Sequence, residues 1–253
     1  MARLAVFLVA LGVWACALSA QAADIKVLSA GAVKNVVTEL AETFREETGH
    51  TVVLTPETAG AIRRKVTEGD PSDVIIATDT VLEQLAATAR VVAETRADIA
   101  RTGIGVAVRA GAPLPDISTP EAFKRAVLAT TSLVYLDPAS SATSGIHVAG
   151  VLQRLGIADA VRSKTLLWPG GYAAEALVTG RAELCIHQIS EILPVKGVTL
   201  VGPLPRELQK ITTYAAALSA RAAAPEAGRA FIAFVARPSF KAKFAAAGLD
   251  YRD

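Results

Sequence analysis

The chain has 253 residues, of which 52% are hydrophobic and 20% are charged. Its 26 lysine and arginine residues and 24 aspartate and glutamate residues give a formal net charge of +2 at neutral pH. This near balance argues against a nucleic-acid-binding protein, which carries clustered positive charge. The high hydrophobic fraction excludes an intrinsically disordered chain.

The first 23 residues have the pattern of a secretory signal peptide. Arg3 is their one charge, residues 4–18 are apolar or small, and residues 20–22 form a small-x-small cleavage site. The apolar stretch of about 15 residues is shorter than the ~20 of a membrane-spanning helix. An uncleaved anchor and a lipoprotein lipidated at Cys16 are the alternatives. We expect a soluble, periplasmic mature chain that begins at residue 24.

One cysteine, Cys185, remains after that cleavage, so no internal disulfide is predicted. Cys185 lies in an apolar segment between Leu184 and Ile186, and we interpret it as a buried apolar residue rather than a reactive thiol. The mature chain must therefore be held together by a hydrophobic core, and it is long enough to form one.

From residue 24 to about residue 103, short apolar segments alternate with longer segments of helical periodicity. Val33, Val36, Leu40 and Phe44 belong to one apolar stripe, and Gly49 is the expected end of that helix. This alternation is typical of an α/β protein whose strands are mostly parallel. The predicted strands are Ile25–Ser29, Thr51–Leu54 and Asp73–Thr78, and helices are predicted from residue 33 to 48, from Ile62 onward and from residue 80 to 89.

A second series of strands and helices begins near residue 103. Gly103 and Gly105 lie at the start of a strand that runs to Arg109, and Pro120 is expected in the first turn of a helix. The remaining predicted strands are Leu133–Leu136, Thr165–Trp168, Leu184–Gln188, Val198–Gly202 and Thr213–Ser219, and the remaining predicted helices are residues 144–155, 173–179 and 225–246.

The two series are similar in size, each about 100 residues, which is usual for one domain. We predict two lobes, with lobe 1 formed by residues 24–104 and 205–253 and lobe 2 formed by residues 105–204. The crossings near residues 103 and 205 are interpreted as two hinge strands. The predicted fold class is α/β, with two lobes that each contain a mostly parallel sheet flanked by helices.

Familiar catalytic and cofactor motifs are absent from the sequence. His50, His147 and His187 have no carboxylate or nucleophile at a recognisable spacing, and Ser144-Gly145 does not complete a nucleophile elbow. The chain has no P-loop, no complete dinucleotide-binding glycine motif and no cluster of zinc ligands. We therefore expect a protein that is not an enzyme and that has no cofactor and no metal site.

Four loops at predicted strand ends share small or hydroxyl-bearing residues and directly precede a helix. In parallel α/β sheets, ligands bind beyond the carboxyl ends of the strands, where helix N-termini offer free N–H groups to an anion. Ordinary caps and turns use the same residue types, but four such loops in an exported two-lobed chain favour a binding cleft. The loops are Ala30-Gly31-Ala32, Thr58-Ala59-Gly60-Ala61, Ser140 to Gly145 and Gly170-Gly171-Tyr172.

Nearly the whole mature chain resembles the periplasmic solute-binding proteins of the molybdate-binding type, which have the type II periplasmic-binding fold. The resemblance implies two lobes that close on a ligand, and delivery of that ligand to an ABC transporter permease in the inner membrane. We expect a monomer without nucleic-acid partners. The segments that carry the resemblance are Val27–Ala32 with Asn35, Gly69–Val74, Leu136-Asp137-Pro138, Ser144-Gly145-Ile146, Gln153–Ile157 and Val201–Pro205.

The resemblance also implies which residues contact the anion. The family carries serine where this chain has Ala32, a run of serines where it has Thr58-Ala59-Gly60, and tyrosine at the position that matches Gln188. At least two hydroxyl donors are therefore missing, and each is worth about 1.5–3 kcal/mol to a charged ligand. The predicted ligand-binding residues are Gly31, Ala32, Thr58, Ala59, Gly60, Arg63, Ser141, Ser144, Gly145, Gly171, Tyr172 and Gln188.

Basic residues are expected to compensate for the missing hydroxyls. Arg63, Arg64 and Lys65 follow the second loop, and one of them is expected to face the cleft and bind a carboxylate. A solvated helix face is the alternative. Asp79 and Glu191 lie near predicted strand ends and are interpreted as hinge or rim groups.

The sequence therefore predicts an exported protein that binds a small anion, such as molybdate or tungstate, between two lobes. A binding protein for a small organic di- or tricarboxylate is the alternative of the same class. An exported enzyme on the same fold and a sensory receptor are the alternatives of other classes.

Overall fold

The computed structural model describes residues 22–251 of the chain. The predicted signal peptide and the alternative lipidation at Cys16 fall outside the described residues, apart from the last two positions of the peptide. Within the described range, no helix is both long enough and apolar enough to cross a membrane.

The strands of residues 22–251 form two sheets. In chain order the strands are β1 (Asp24–Ala30), β2 (Thr51–Glu57), β3 (Val74–Thr78), β4 (Val91–Thr102), β5 (Ile104–Arg109), β6 (Leu133–Leu136), β7 (Thr165–Trp168), β8 (Leu184–Gln188), β9 (Val198–Pro203), β10 (Thr212–Ser219) and β11 (Asp250–Tyr251). The first sheet has the order β11-β4-β10-β3-β1-β2, and the second has the order β7-β6-β8-β5-β9.

Helices flank both sheets and follow most of the strands. In chain order they are α1 (Lys34–Thr48), α2 (Ala59–Glu68), α3 (Asp79–Ala87), α4 (Pro120–Ala129), α5 (Thr143–Arg154), α6 (Ala158–Arg162), α7 (Glu175–Val178), α8 (Ile189–Ile192), α9 (Pro225–Val235) and α10 (Lys241–Ala246), with 3₁₀ turns at Gly31–Val33, Pro138–Ser140 and Pro238–Phe240. The predicted end of α1 is confirmed, since Gly49 caps it with a φ of 77°. The predicted position of Pro120 in the first turn of α4 is also confirmed.

Both sheets are mixed. In the first sheet β1 pairs in parallel with β2 and β3, whereas β10 pairs antiparallel with β3 and β4. In the second sheet β6 pairs in parallel with β7 and β8, whereas β5 pairs antiparallel with β8 and β9. The α/β prediction is confirmed, but the sheets are less parallel than the sequence pattern indicates. The reason is that β4, β5, β9 and β10 carry the chain from one sheet to the other without a crossover helix.

The chain passes between the sheets at two places in the described range. Gly103 separates β4 from β5, and residues 204–211 join β9 to β10. Gln209 ties the two passages together, because its Oε1 accepts from the amide of Ile104 at 2.8 Å and its Nε2 donates to the carbonyl of Ile104 at 2.9 Å. The division into lobes at residues 104 and 205 stays a prediction.

The sequence pattern does not predict β4 or the short helix α8. β4 contains charged residues throughout, and register shifts interrupt its pairing with β10, so the strict alternation of an ordinary strand is lost. Helix α8 has four residues, which are too few to show a helical periodicity. The omission of α8 matters most, because this helix carries a side chain of the site described below.

Separate hydrophobic clusters lie on the two sheets. In the first cluster the ring of Phe44 on α1 packs against Phe231 and Phe234 of α9, with centroid distances of 5.2 and 5.1 Å. In the second sheet Phe123 is fully buried. Cys185 is buried as predicted, and burial raises the pKa of its thiol. Because the clusters are separate, the space between the sheets is not filled by core side chains.

Candidate functional site

A cavity of about 640 Å³ lies between the two sheets, at the carboxyl ends of their parallel strands. We call the residues that end or follow β1, β2 and β3 the first wall, and those that end or follow β6, β7 and β8 the second wall. The first wall contains Ala30, Gly31, Ala32, Lys34, Pro56, Glu57, Thr58, Ala59 and Thr78, and the second wall contains Leu136, Ala142, Thr143, Ser144, Trp168, Pro169, Gly170, Gly171, Tyr172, Glu175, Gln188 and Glu191, with Tyr214 of β10 beside them.

The first wall presents the beginnings of α2 and α3 to the cavity. Thr58 caps α2 and accepts from the amide of Ala61 at 3.3 Å, and Thr78 caps α3 and accepts from the amide of Val81 at 3.3 Å. The amide of Gly60 donates to the carbonyl of Ser141, and the amide of Thr80 donates to Oδ1 of Asp79. The attraction that these helix beginnings offer to an anion therefore comes mainly from the positive end of the helix dipole. Lys34 of α1 adds a full positive charge. The first wall is therefore suited to hold negative groups.

The second wall contains the beginning of α5. Thr143 and Ser144 line the cavity, and Gly145 behind them packs against the end of β6. A Cβ atom on Gly145 would lie 2.3 Å from the carbonyl oxygen of Leu136, so a larger residue does not fit there. This close approach fixes the position of the first turn of α5 against the cavity.

The two walls touch where α2 begins. Thr58 Oγ1 donates to the carbonyl of Ser140 at 3.0 Å, and the amide of Gly60 donates to the carbonyl of Ser141 at 3.3 Å. A Cβ atom on Gly60 would lie 2.1 Å from the Cβ of Ser141. The contact between the walls therefore requires glycine at position 60.

A second contact between the walls involves Tyr172. Its hydroxyl donates to Oδ1 of Asn35 at 2.8 Å, and its ring centroid lies 5.7 Å from Nζ of Lys34, a cation–π distance. Burial raises the pKa of the Tyr172 phenol, which therefore stays a neutral donor at physiological pH. The contact places a lysine and a phenol side by side at the cavity.

Glu191 of α8 is a buried acid in the second wall. Its side chain is 9% exposed, and it makes no hydrogen bond with the part of the chain that the structure describes. Its Oε1 lies 3.1 Å from the point where a Cβ atom on Gly31 of the first wall would be. Burial raises the pKa of the Glu191 carboxyl, and the nearby His187 opposes that change. Glu191 therefore retains its proton at a higher pH than an ordinary glutamate.

His187 lies behind Glu191 and is fully buried. Its Nε2 is 3.1 Å from the carbonyl oxygen of Gly171 and 3.7 Å from Oε2 of Glu191. Because a carbonyl oxygen only accepts, Nε2 carries a hydrogen and donates to Gly171. In the neutral ring Nδ1 is then an acceptor, and it lies 3.4 Å from the Ser144 hydroxyl. His187 thus joins the beginning of α5 to the loop before α7.

The other two histidines of the sequence lie outside the cavity. Nδ1 of His50 accepts from the amide of Ala23 at 3.0 Å, and Nε2 of His147 donates to the carbonyl of Leu208 at 2.7 Å. Burial lowers the pKa of His147. Both rings therefore hold main-chain segments in place.

The remaining acids of the cavity are in more polar surroundings than Glu191. Nζ of Lys65 lies 2.5 Å from Oε1 of Glu57, which neutralises the Glu57 charge. Glu175 is exposed to solvent. The hydroxyl of Tyr214 donates to Oε1 of Gln188 at 2.8 Å, and both side chains are buried. Glu191 is thus the buried acid of the cavity lining, and it has no counter-ion in hydrogen-bond contact among residues 22–251.

Many of the predicted ligand-binding residues line the cavity together. All of them except Gln188, which ends β8, come from the four loops singled out in the sequence, and all four loops contribute to the lining. The predicted residues found in the cavity lining are Gly31, Ala32, Thr58, Ala59, Ser144, Gly171, Tyr172 and Gln188. Their contact with a ligand stays a prediction.

Four predicted residues do not line the cavity. Gly60 and Ser141 form the contact between the walls, and Gly145 packs beneath the wall. Arg63 is exposed, because Ile62 and Val66 on the same helix face the core and turn it toward solvent. The interpretation of Arg63 as a ligand contact is therefore corrected. Its neighbours do not replace it, since Arg64 is exposed and Lys65 pairs with Glu57.

Sequence reasoning misses the two ionisable side chains that matter most in the cavity. Lys34 is the first residue of α1, and the sequence around it contains no motif that marks this lysine as part of a binding site. The interpretation of Glu191 as a hinge or rim group is corrected, because this side chain is buried in the cavity lining. Glu191 lies between Ile189 and Ile192, directly after an apolar strand, and these apolar neighbours are the sequence signal for the burial of its side chain. No cluster of metal-binding side chains occurs within residues 22–251.

Residues 25–250 match a known family, which is described as bacterial extracellular solute-binding protein. The chain belongs to this family. A solute-binding protein has a small-molecule ligand, and the cavity between the walls of this solute-binding protein is the place suited to it.

Two curated proteins are similar to this solute-binding protein in sequence. Aconitate isomerase of a Pseudomonas species is 30% identical over 218 residues, which cover 84% of this chain and 82% of the relative. The molybdate-binding protein ModA of Azotobacter vinelandii is 30% identical over 190 residues, which cover 73% of this chain and 72% of the relative.

A solved structure of the periplasmic molybdate-binding protein of Azotobacter vinelandii has the same fold as this solute-binding protein. The TM-score is 0.76 at 20% identity, and the match covers 90% of this chain and 100% of that chain. The predicted two-lobed periplasmic-binding fold and the resemblance to the molybdate-binding type are thereby confirmed.

The similarity to aconitate isomerase corrects the prediction that the chain is not an enzyme. That prediction depends on missing catalytic motifs and on histidines without partners. A reaction that needs one acid–base group leaves no spaced motif in the sequence, so the missing motifs do not exclude it.

Proposed function

We propose that this solute-binding protein binds a small unsaturated polycarboxylate of the aconitate class between its two walls and isomerises it. The observation that carries the proposal is the buried carboxyl group of Glu191, which lines the cavity without a hydrogen-bond partner among residues 22–251. An isomerase that shifts a proton needs an acid–base group in a site that excludes water. The similarity to aconitate isomerase over 84% of this chain supports the same proposal.

The size and donors of the cavity support a polycarboxylate ligand. The cavity of about 640 Å³ lies within the range of roughly 300–1,000 Å³ that is usual for small organic ligands. The beginnings of α2 and α5 reach it from opposite walls, so two carboxylates can each meet the positive end of a different helix. Lys34 adds a side-chain donor, while the hydroxyl hydrogen of Tyr172 is donated to Asn35.

The residues that depart from the molybdate-binding type also support an organic acid. Ala32 supplies no hydroxyl where the resemblance implies serine. Glu191 brings a carboxyl oxygen close to Gly31, in the loop that would hold an oxyanion. A carbon acid can exchange a proton with this carboxyl group, whereas a metal oxyanion can only accept a hydrogen bond from its protonated form.

Capture of molybdate or tungstate for an ABC transporter permease is the second candidate. The similarity to ModA over 73% of this chain favours it. The backbone N–H groups at the beginnings of α2 and α5 would then be the main donors. A monomer, export through a cleaved signal peptide and a transporter partner stay predictions for either candidate.

The test of the proposal measures conversion and binding with the purified protein. Each geometric isomer of aconitate is added separately, and formation of the other isomer is followed by proton NMR. Thermal shifts are measured with aconitate, citrate, molybdate, tungstate and sulfate. A ligand at about 100 times its Kd stabilises the protein by about 2.7 kcal/mol, so a shift of a few degrees is expected with aconitate.

Each result has a clear meaning. Conversion of aconitate supports the proposal. Binding of aconitate without conversion contradicts the isomerase. A thermal shift with micromolar molybdate or tungstate, and none with aconitate, assigns the second candidate.

A further inference from the structure

We infer that Glu191 is the catalytic residue that carries the proton from one carbon of the substrate to another. The inference rests on the proposed isomerase function and specifies how the cavity performs it. It is based on the position of the Glu191 carboxyl group, on the surroundings of the other cavity acids and on the chemistry of an allylic acid.

The carboxyl group of Glu191 lies where the two walls approach each other. It belongs to α8 of the second wall, and its Oε1 lies 3.1 Å from the point where a Cβ atom on Gly31 of the first wall would be. A substrate held by donors of both walls must pass beside this group. Because the side chain is 9% exposed, a proton that it accepts is not readily lost to bulk water.

The other ionisable groups near the cavity are less suited to this step. Glu57 is paired with Lys65 at 2.5 Å, and Glu175 is exposed. The hydroxyl of Tyr214 is engaged with Gln188, and burial strongly raises the pKa of its phenol. His187 does not line the cavity.

The proton transfer balances without any further reactant. The ionised carboxylate of Glu191 takes a proton from the methylene carbon next to the substrate double bond. The electron pair of that C–H bond forms a new double bond, and the pair of the old double bond moves to the third carbon. That carbon then takes the same proton back from Glu191. One C–H bond is broken and one is formed, and nothing is oxidised or reduced.

The surroundings of Glu191 strengthen it as a base. Burial raises the pKa of the carboxyl group above the ordinary glutamate value, which brings it closer to the pH at which proton transfer is efficient. The negative charge that develops on the substrate spreads onto its carboxylates. Lys34 and the N–H groups at the beginning of α5 are placed to stabilise that charge.

The test compares E191Q with E121Q in the full chain. E121Q is the same Glu-to-Gln change at an exposed position in the first turn of α4, and Glu121 does not line the cavity. We expect E191Q to lower kcat by about 10²–10⁴-fold, while the thermal shift with aconitate persists. We expect E121Q to retain wild-type kcat. In deuterated water, the wild-type protein should incorporate deuterium into the substrate more slowly than it isomerises the substrate. The reason is that Glu191 returns part of the proton that it has removed before this proton exchanges with the solvent.

The results separate the inference from the function on which it rests. A wild-type protein that does not isomerise aconitate contradicts the proposed function. An active wild type with an equally active E191Q contradicts the inference while the function stands. If E191Q does not fold, E191D provides the test, because a shortened carboxyl group should lower kcat and leave the KM nearly unchanged. A wild-type rate for a folded E191D would overturn the inference.

Discussion

The aromatic rings and the buried acid that line the two walls of the cavity all belong to the second wall, whereas the lining of the first wall contains several small residues beside Lys34 and Glu57. Gly31, Ala32 and Ala59 leave the main chain of the first wall open to a ligand, while Trp168 and Glu191 stand on the second wall. Main-chain N–H groups bind negative groups of many shapes, since the attraction depends on the charge of the ligand more than on its shape. In the proposed function, the first wall would hold the ligand, and the second wall would select it and act on it.

The same comparison applies to two glycines in the first turns of α2 and α5. Gly145 is pressed against Leu136 in its own wall, whereas Gly60 is pressed against Ser141 of the opposite wall. The two glycines look alike in the sequence, but one is required for folding of the second wall and the other for closure of the cavity. Substitutions at these positions should therefore have different effects.

The largest effect is expected from G145A. The Cβ atom of the new alanine would lie 2.3 Å from the carbonyl oxygen of Leu136. This oxygen belongs to the main chain of β6, which cannot move aside as easily as the end of a side chain. We expect a loss of about 3 kcal/mol or more in the free energy of unfolding, measured by urea denaturation. G150A on the same helix is the matched control, because nothing lies within 4 Å of its Cβ position. A gain of about 0.5–1 kcal/mol is expected there, and equal stability of the two variants would contradict the prediction.

The next effect is expected from G60A, which should weaken ligand binding more than stability. Its Cβ atom would lie 2.1 Å from the Cβ of Ser141, so the walls cannot close fully. We expect the Kd for the ligand to rise about tenfold or more, which corresponds to ~1.4 kcal/mol, as measured by calorimetry. The double variant G60A/S141G removes the opposing Cβ atom, and glycine suits the φ of 56° at position 141. Failure of the double variant to recover affinity would contradict this account.

A smaller effect is expected from Y172F. The variant loses the hydrogen bond of 2.8 Å between the Tyr172 hydroxyl and Asn35, worth about 0.5–1.5 kcal/mol. The Kd, measured by calorimetry, should rise roughly two- to tenfold. The double variant Y172F/N35A should bind no more weakly than N35A, because both changes remove the same contact. Additive losses would show that the two side chains act separately.

The smallest effect is expected for the stability of the ligand-free E191Q variant. Unlike the changes above, E191Q should increase stability. Burial raises the pKa of Glu191 in the folded state, so stability falls as the pH rises from the ordinary glutamate value through the raised one. The amide side chain that E191Q introduces does not titrate. The variant should therefore melt a few degrees higher than wild type near pH 7, where ~1 kcal/mol shifts Tm by roughly 2–4 °C.

This difference should vanish below the ordinary glutamate pKa, where the carboxyl is protonated in both states. The other ionisable groups around Glu191 are His187, Cys185, Tyr172 and Tyr214. Burial raises the pKa of the thiol and of both phenols, so they stay protonated in this range, and His187 is common to both proteins. Melting curves from pH 4 to 8 test the prediction, and a constant difference across that range would contradict it.

The parts of the site that follow from local rules are predictable from the sequence. Small residues at the ends of neighbouring parallel strands lie at one edge of their sheet, as Gly31 and Thr58 do in the first sheet. Ser144 follows β6 of the second sheet and lines the same cavity, and contact of these residues with a ligand stays a prediction. Gly49 and Pro120 mark helix ends for reasons of backbone geometry. These predictions depend on only a few neighbouring residues.

The parts that depend on packing are not predictable in the same way. The direction of Arg63 is set by the burial of Ile62 and Val66 on α2, and a shift of one residue would rotate its side chain by about 100° around the helix axis. Glu191 lies on a helix of four residues, whose orientation comes from contact with the first wall rather than from its own pattern. A buried acid without a partner is unfavourable for folding, so only its place in the cavity explains it.

The burial of Cys185 offers a practical route to test the predicted motion of the two walls. It is the one cysteine of a chain that begins at residue 24, and its thiol is buried with a raised pKa, so thiol-reactive dyes will not modify it in the folded protein. Cysteines introduced at Val53 and Ile146, which are 50% and 54% exposed on the two sides of the cavity, would accept a donor and an acceptor fluorophore. Energy transfer between the two fluorophores would then report changes in the distance between the walls in single molecules. The unlabelled Cys185 would not contribute to the signal.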